Sequence, residues 1–335
     1  MMKLKFRCRS CDVYFGKKSC YFDHRRKEHS SKVTRSVKIK LHKPFLKWVG
    51  GKTQIINDVI KKFPKQMNNY HELFLGGGSV LFALLTLEKN KKIQITGNIY
   101  ASDFNKTLIS VYKAIQNDAD TLYDYIIRYI TTYDSIVGDV VNRNATNLTE
   151  AKTSKESYYY WMRKKFNTGE KTLEHYALFI VLNKTCFRGV YREGPNGFNV
   201  PYGHYKTTPR IFTRDELHEI KDLIANVKFQ HCSFEQSIKK VQPGDFVYMD
   251  PPYAKETTTS FDTYVKQGFP LELHKKLFDR IKNLDKCNIK FLLSNAKVKI
   301  VTDTFKDFSI QDVKARRAIN SKKPEATTME VLISN

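Results

Sequence analysis

The tetrapeptide Asp250-Pro251-Pro252-Tyr253 constrains the fold more than any other stretch. It follows an apolar run, Asp245-Phe246-Val247-Tyr248-Met249, that reads as a buried strand, and it opens onto a polar loop from Ala254 to Ser260. Prolines lack the N–H that a central ladder needs, so the chain must leave the sheet here. The strand therefore presents a carboxylate at its carboxyl tip, where open α/β sheets take their ligands. The plain alternative is a tight turn with a capping Asp, and the tetrapeptide by itself does not separate the two.

The chemistry this tip suits is methylation of an exocyclic amine on a flat base. The lone pair of such a nitrogen is delocalised into the ring, which makes it a poor nucleophile. A carboxylate accepting one N–H and a proline carbonyl accepting the other would free the lone pair, while Tyr253 offers a ring to stack on the base. No strong general base is required, because the nitrogen becomes acidic once methylated.

A second constellation lies at the front: Phe6-x-Cys8-x2-Cys11-x3-Phe15-x5-Tyr21-x2-His24-x4-His29. Cys8, Cys11, His24 and His29 have the ligand spacing of a ββα zinc finger. Phe6, Phe15 and Tyr21 fall where such a module needs its small core. A piece this short cannot bury enough surface alone, so zinc would carry its folding; a basic tail with coincidental spacing is the alternative. Base-reading positions would lie near Lys17, Cys20 and Asp23, and one finger covers about three base pairs. The first 44 residues hold 14 Lys+Arg and 3 Asp+Glu, so they supply 14 − 3 = +11 of a whole-chain charge of 58 − 34 = +24. That excess predicts a polyanionic partner, most simply nucleic acid, although a Lys-rich surface from an AT-rich genome reads the same way. Non-specific DNA contact is the expected role of the finger, with protein binding as the alternative. Residues 31 to 44 read as a basic linker.

No apolar run reaches about 18 residues, so no membrane span is expected, and the basic N-terminus lacks a signal-peptide core. Six cysteines in 335 residues are too few for a disulfide scaffold. A reducing, intracellular compartment is expected; nucleus, cytoplasm and viral factory read alike.

Two further segments have the look of a nucleotide-cofactor half. Pro44-Phe45-Leu46-Lys47-Trp48-Val49-Gly50-Gly51-Lys52 sets an aromatic, a Gly-Gly turn and a lysine before a helix expected over Thr53 to Lys62. Gly51-Lys52-Thr53 mimics the end of a phosphate-binding Walker loop, but Leu46 stands where that loop needs its first glycine. His71-Glu72-Leu73-Phe74-Leu75-Gly76-Gly77-Gly78-Ser79 reads as a strand, a glycine turn and a helix start, with Glu72 at the same tip. Ile99 to Asp103 is a strand ending in an acid, which suits a ribose diol. Such a sugar belongs equally to a nicotinamide or an adenosyl cofactor; the Asp250 tetrapeptide favours the adenosyl one.

These pieces together resemble the Dam-type DNA N6-adenine methyltransferases. The matching motifs are KWVGGK (47–52), FLGGGS (74–79), SDFN (102–105), LNKTCFRGVYR (182–192), FNVPYGHY (198–205), DPPY (250–253), LLSN (292–295) and DVKARRAINS (312–321), in the family's order across residues 45 to 333. The resemblance implies an α/β fold: a Rossmann-like sheet over 45–112 and 213–335, with a helical target-recognition insertion over 113–212, behind the finger at 1–30. It implies S-adenosylmethionine as cofactor, contacted by Trp48, Lys52, Asp103 and Asp250, with Phe74, Gly76 and Gly78 beside its methionine end. Phe234 is a further candidate for packing on the cofactor adenine.

The implied activity is methyl transfer to N6 of an adenine flipped from duplex DNA, with Asp250, Pro251, Pro252 and Tyr253 as the catalytic residues. Lys47 matches a DNA-touching lysine and Arg192 the guanine-reading arginine, a side chain that grips a guanine edge bidentately. Pro201 and Tyr205 match further DNA contacts, and the implied site is GATC. Arg188 stands where bacterial relatives commonly have Asn, and the loop from Arg192 to Pro201 is one residue shorter, so both depart from the family pattern. Lys314, Arg316 and Arg317 would grip phosphates, unless they form a solvated face, and Tyr264 would close over the flipped base. The family is usually monomeric. Enzymes acting on RNA adenine or cytosine N4 pose the same chemical problem to the tetrapeptide. A non-catalytic DNA-binding protein with a vestigial site is the remaining reading, against which stand the intact acids and glycines.

Overall fold

Side-chain alternation along Phe246–Met249 sets the layers of the catalytic unit. Successive residues of a strand face opposite sides, and here both sides are apolar: Phe246 and Tyr248 enter one buried cluster, Val247 and Met249 another. A strand covered on both faces is the hallmark of a parallel sheet. In the computed structural model, which describes residues 6–8, 11–28, 39–254, 269–316 and 327–335, this strand lies at the centre of seven.

Numbered along the chain, these are β1 (Tyr70–Glu72), β2 (Ile99–Asp103), β3 (Val227–His231), β4 (Phe246–Met249), β5 (Lys290–Ala296), β6 (Ser309–Arg316) and β7 (Thr327–Ser334). Side by side they run in the order 3-2-1-4-5-7-6. The first five are parallel, whereas β7 is antiparallel to both β5 and β6. The doubly wound dinucleotide fold has the order 3-2-1-4-5-6; here one more strand is slotted, reversed, between the fifth and sixth. Strand order switches direction between β1 and β4, which places the ligand-binding crevice of such sheets between the tips that carry Glu72 and Asp250.

The helices that bear on the site are α1 (Ser79–Lys89), α2 (Lys106–Asn117), α3 (Ala119–Ser135), α4 (Lys155–Thr168), α5 (Leu173–Thr185), α6 (Arg214–Ile224), α7 (Phe234–Ile238), α8 (Leu271–Lys286) and α9 (Lys299–Thr304). Their starts follow the sequence signals. Asn105 and Ser154 accept backbone N–H groups at their helix N-termini, and Thr213–Glu216 and Ser233–Gln236 form capping boxes. α3, α4 and α5 pack on one another, and α5 packs on α2, so the inserted helices share one core with the sheet. α7, α8 and α9 cover the opposite face. The helix expected over 53–62 is shorter than its apolar spacing suggests. Lys52–Gln54 is a 3-10 turn and the helix proper is Ile56–Lys61, because Ile55 at φ −110° interrupts it. The sequence pattern also passes over β3 and β6.

The chain divides into two compact units, Met1–Lys40 and Leu41–Asn335. In the first, Phe6–Arg7 pairs antiparallel with Tyr14–Phe15, and a helix follows over Lys18–Glu28. Tyr21 packs against Phe6 and Phe15 at 6.3 and 6.2 Å between ring centroids. The hairpin closes through Cys8 N–H to Val13 O and Asp12 N–H to Cys8 O, each 2.8 Å. No helix among the described residues is long and apolar enough to cross a membrane.

Candidate active site

Three acids converge because three neighbouring parallel strands end together. Glu72 of β1 is in register with Tyr248 of β4 and Ala101 of β2. Asp250 and Asp103 each stand two residues beyond that row, at the carboxyl tips. Glu72 is buried, takes a 2.7 Å hydrogen bond from the Tyr70 hydroxyl, and is pushed up to about 8, chiefly by burial and further by the charges of Asp250 and Asp103. Asp103 is also raised by burial, against the pull of backbone N–H groups. Its two oxygens accept from Gly76 N–H at 2.9 Å and Asn105 N–H at 2.8 Å, so it ties the glycine loop to the start of α2.

Among the described residues, Asp250 has one partner of opposite charge. Its Oδ2 lies 2.7 Å from Lys52 Nζ, and Lys52 is 3 % exposed. The same ammonium donates to Gly50 O at 2.7 Å and sits 4.8 Å from the centre of the Tyr253 ring. Lys52 is held at its backbone too, where its N–H donates to Ser79 Oγ at 2.9 Å. Burial pushes the Asp250 carboxyl up to about 6, with Lys52 opposing and Glu330 adding to the rise. The other oxygen, Asp250 Oδ1, is buried and has no hydrogen-bond partner among the described residues. Pro251 is buried and Pro252 exposed. Tyr253 donates its phenol proton to Glu330 Oε2 on β7 at 2.6 Å, and burial with the nearby acids raises it far above the usual tyrosine range. Ala254 N–H donates to Asn295 Oδ1 on β5 at 3.2 Å.

The glycine loop is shaped by Trp48. A Cβ on Gly76 would lie 2.9 Å from the indole Cδ1, and one on Gly77 would lie 2.8 Å from the Trp48 Cβ. Gly76 and Gly78 have φ of +50° and +72°, a region that disfavours side chains. Trp48 then stacks on Tyr191 at 5.6 Å. Phe74 is half-buried in a trio with Phe234 and Phe269, whose centroids are 5.7 to 5.8 Å apart. Phe234 itself is 5 % exposed, so packing has already claimed most of its surface.

A second cluster joins Lys47 to the loop that follows α5. Asn183 receives Lys47 N–H at 2.9 Å and donates to Lys47 O at 2.7 Å and Gly189 O at 3.2 Å. Lys47 Nζ reaches the Tyr205 hydroxyl at 3.2 Å, and that hydroxyl donates to Cys186 O at 3.0 Å. Arg192 is exposed and fixed by Asn199, through Nε to Oδ1 at 2.7 Å. Arg188 adopts a left-handed φ of +57° and lies over the exposed Phe187 ring at 5.2 Å. Pro201 is exposed. Lys184 joins the group: burial pushes it down to about 8, helped by Lys47 and Arg210. Arg316 ends β6 opposite Thr327. His29, Arg317 and Tyr264 lie outside the described residues.

In the front unit the ligand atoms of Cys8, Cys11 and His24 lie within 4.8 Å of one another, with Cys11 Sγ 3.1 Å from His24 Nε2. A tetrahedral zinc with sulfur at about 2.3 Å and nitrogen at about 2.0 Å spaces its donors about 3.3 to 3.8 Å apart, so the trio clusters on the scale of a zinc site, with Cys11 and His24 a few tenths of an ångström closer than the ion would hold them. Lys17, Cys20 and Asp23 are exposed.

Sequence reasoning missed four contributors: Glu330, Asn295, Asn183 and Lys184. Asn183 and Lys184 lie in the LNKTCFRGVYR motif and Asn295 in LLSN, but their roles come from partners distant in the chain; for Glu330 the local signal is an acid leading the apolar run Val331-Leu332-Ile333.

Among known proteins, the chain is 37 % identical over 306 residues to the type II methyltransferase M.MjaIII of Methanocaldococcus jannaschii, covering 88 % of this chain and 99 % of that one. It is 30 % identical over 302 residues to the type II methyltransferase M1.LlaDCHI of Lactococcus lactis subsp. cremoris, covering 88 % and 95 %. It is 29 % identical over 304 residues to a DNA adenine methylase of Haemophilus influenzae, covering 90 % and 96 %. The description of the D12 class N6 adenine-specific DNA methyltransferases matches residues 48–319, from Trp48 beside the glycine loop past the end of β6. The sheet order, the tip acids and these similarities agree: the chain belongs to the D12 class of N6 adenine-specific DNA methyltransferases.

Proposed function

We propose that the chain transfers a methyl group from S-adenosylmethionine to N6 of an adenine flipped out of double-stranded DNA, at GATC. The observation that carries this reading is the unequal use of the Asp250 carboxylate. One oxygen is held by Lys52; the other, Oδ1, is buried and left to accept an N–H from an incoming amine. A buried acceptor without a partner costs about 1–3 kcal/mol, which a bound base would recover.

S-adenosylmethionine would supply an electrophilic methyl on a sulfonium. Gly76 to Gly78 and Trp48 would line its methionine end, Asp103 its ribose and Lys52 its carboxylate. Asp250 would accept one amine N–H and the Pro251 carbonyl the other, while the Tyr253 ring stacks on the base and holds it in line with the methyl. Glu72 keeps its proton at neutral pH and Lys52 pairs with Asp250, so Asp103 is the tip acid whose charge a cationic cofactor would offset. Arg192, held by Asn199, would read guanine, with Lys47, Arg188, Pro201 and Tyr205 lining the same DNA face. The type II methyltransferases it resembles favour a modification role beside a restriction endonuclease.

For the front unit the reading is a structural zinc on Cys8, Cys11, His24 and His29, with the finger adding non-specific DNA affinity. Native mass spectrometry of the full chain should find one zinc, lost in Cys8→Ser; a chain purified without any would remove the finger from the reading. The central test incubates the chain with labelled cofactor and duplexes with or without GATC, then maps the product with methyl-sensitive restriction enzymes. Label on adenine in GATC duplexes and none with Asp250→Ala is the expected result. Label on scrambled duplexes would sink the site assignment, and normal turnover by Asp250→Ala would sink the mechanism.

A further inference from the structure

The most unusual partner in the site comes from the reversed strand. Tyr253, in the exit loop of β4, gives its phenol proton to Glu330 of β7 at 2.6 Å. A phenol donating to a carboxylate forms a charge-assisted O–H···O⁻ bond, about twice as strong as a neutral one, and this distance fits one. The tyrosine is therefore tied across the sheet to a residue 77 positions away. A phenol that donates to a carboxylate shifts electron density into its ring, which strengthens the negative face of the π system. The ring already holds a cation in this structure, Lys52 Nζ at 4.8 Å from its centre.

We propose that Glu330 is a positioning residue for methyl transfer: it fixes the plane of the Tyr253 ring and loads that ring with electron density for the positive charge that arrives on the base. The inference rests on the reading of Tyr253 as the stacking ring. As the methyl moves, its bond to sulfur breaks and its bond to N6 forms. The positive charge passes from the sulfonium to the amino group and is discharged when the surplus N6 proton leaves to water. An electron-rich ring stacked on the base stabilises that charge while it resides there, and less so the neutral base beforehand. Such an interaction, stronger at the top of the barrier than in the ground state, raises the rate constant and not merely the affinity. Glu330 touches neither base nor methyl; it acts through Tyr253. Asn295, which receives Ala254 N–H from the neighbouring strand, anchors the next residue of the same loop.

The test is a mutant cycle on the full chain, with single-turnover transfer to a duplex that the wild type methylates. The variants are Glu330→Ala, Glu330→Gln, Tyr253→Phe and the double Tyr253→Phe/Glu330→Ala. Loss of a hydrogen bond to a charged group predicts that Glu330→Ala slows transfer about 10- to 100-fold with KM for cofactor unchanged. Glu330→Gln keeps an acceptor but no charge and should fall between. It should also move the acidic limb of the rate profile downward, because a negative neighbour of Asp250 has gone. In the Tyr253→Phe background, Glu330→Ala should cost little more, since the route of its effect is already removed. Duplexes with 2-aminopurine at the target position report whether the flipped base still finds an ordered ring. Wild-type rates in Glu330→Ala, or a full additional loss in the double variant, would overturn the inference. If Glu330→Ala does not fold, Glu330→Gln alone and in the Tyr253→Phe background separates the same two outcomes. Normal transfer by Asp250→Ala would instead mean that the site reading itself, and not Glu330, is at fault.

Discussion

Lys52→Met tests whether the ammonium beside Asp250 sets the charge of the carboxylate. The pair is 2.7 Å apart, with Lys52 3 % and Asp250 18 % exposed, so its setting lies between water and a dry interior. Coulomb's law at that distance gives about 1.5 kcal/mol in water and about 6 kcal/mol at an effective dielectric of about 20. At about 1.4 kcal/mol per pKa unit, loss of Lys52 should raise Asp250 by about one to four units. Asp250 stands at about 6 with the lysine present. At pH 7 the wild-type carboxylate is therefore about nine-tenths ionised, whereas in the variant half or less would be. The assay is single-turnover transfer at saturating cofactor and duplex from pH 5 to 9, so that any lost cofactor contact is removed from the rate. A bound sulfonium lowers both acidic limbs but leaves the difference between them. The limb should move up by at least about one unit, with the rate recovering toward pH 9. A limb that stays in place while the rate falls at every pH would refute the electrostatic role and leave Lys52 only its proposed cofactor contact.

Glu72 carries a stability signature. Its folded value near 8, against the usual 4.5, means that the fold keeps a proton which the unfolded chain releases over that window. Stability therefore falls as pH rises from about 4.5 to about 8, by at most about 5 kcal/mol, and Glu72→Gln should melt increasingly above the wild type between pH 5 and 9; a constant gap in Tm would contradict this. Gly77→Ala drives a methyl to 2.8 Å from Trp48 Cβ; it should cost about 1–3 kcal/mol in denaturant unfolding and weaken cofactor binding measured by calorimetry, and unchanged values would mean that the loop is not packed as described. Asn183→Ala cuts the three hydrogen bonds that join Lys47 to the Gly189 turn. It should raise KM for DNA and relax discrimination between the proposed GATC site and near-cognate duplexes while cofactor affinity holds, whereas intact discrimination would separate Lys47 from the recognition loop.

What can be read from the sequence is whatever neighbours along the chain create. The strand before Asp250, the strand ending at Asp103 and the glycine turn after Glu72 each announce themselves by apolar period and turn residues, and each is present. The family follows from motifs of the same local kind. Long-range partners are not legible. That Lys52 reaches Asp250, that Asp103 holds the glycine loop, or that Tyr253 finds Glu330 depends on strand order, which no single segment encodes. β3 and β6 do carry the alternation of a half-buried strand, in Val-Lys-Phe-Gln-His and Ser-Ile-Gln-Asp-Val-Lys-Ala-Arg, and escape notice only because no glycine turn marks their ends. The run Lys314 to Arg316 reads as a phosphate grip and not as a strand because its charges outweigh its period.

The reversed strand has a consequence for biosynthesis. β7 is the last of the seven to leave the ribosome, yet it occupies an interior place, paired with β5 on one side and β6 on the other. Until it emerges, β5 keeps an open edge and β6 has no sheet to join. β6 and β7 pair along eight residues, so they are suited to form a hairpin first and to dock on β5 as a unit. Because β7 also brings Glu330 to Tyr253, the final step of assembly is the one that completes the crevice. A nascent chain therefore lacks the Tyr253–Glu330 contact until its last strand is in place.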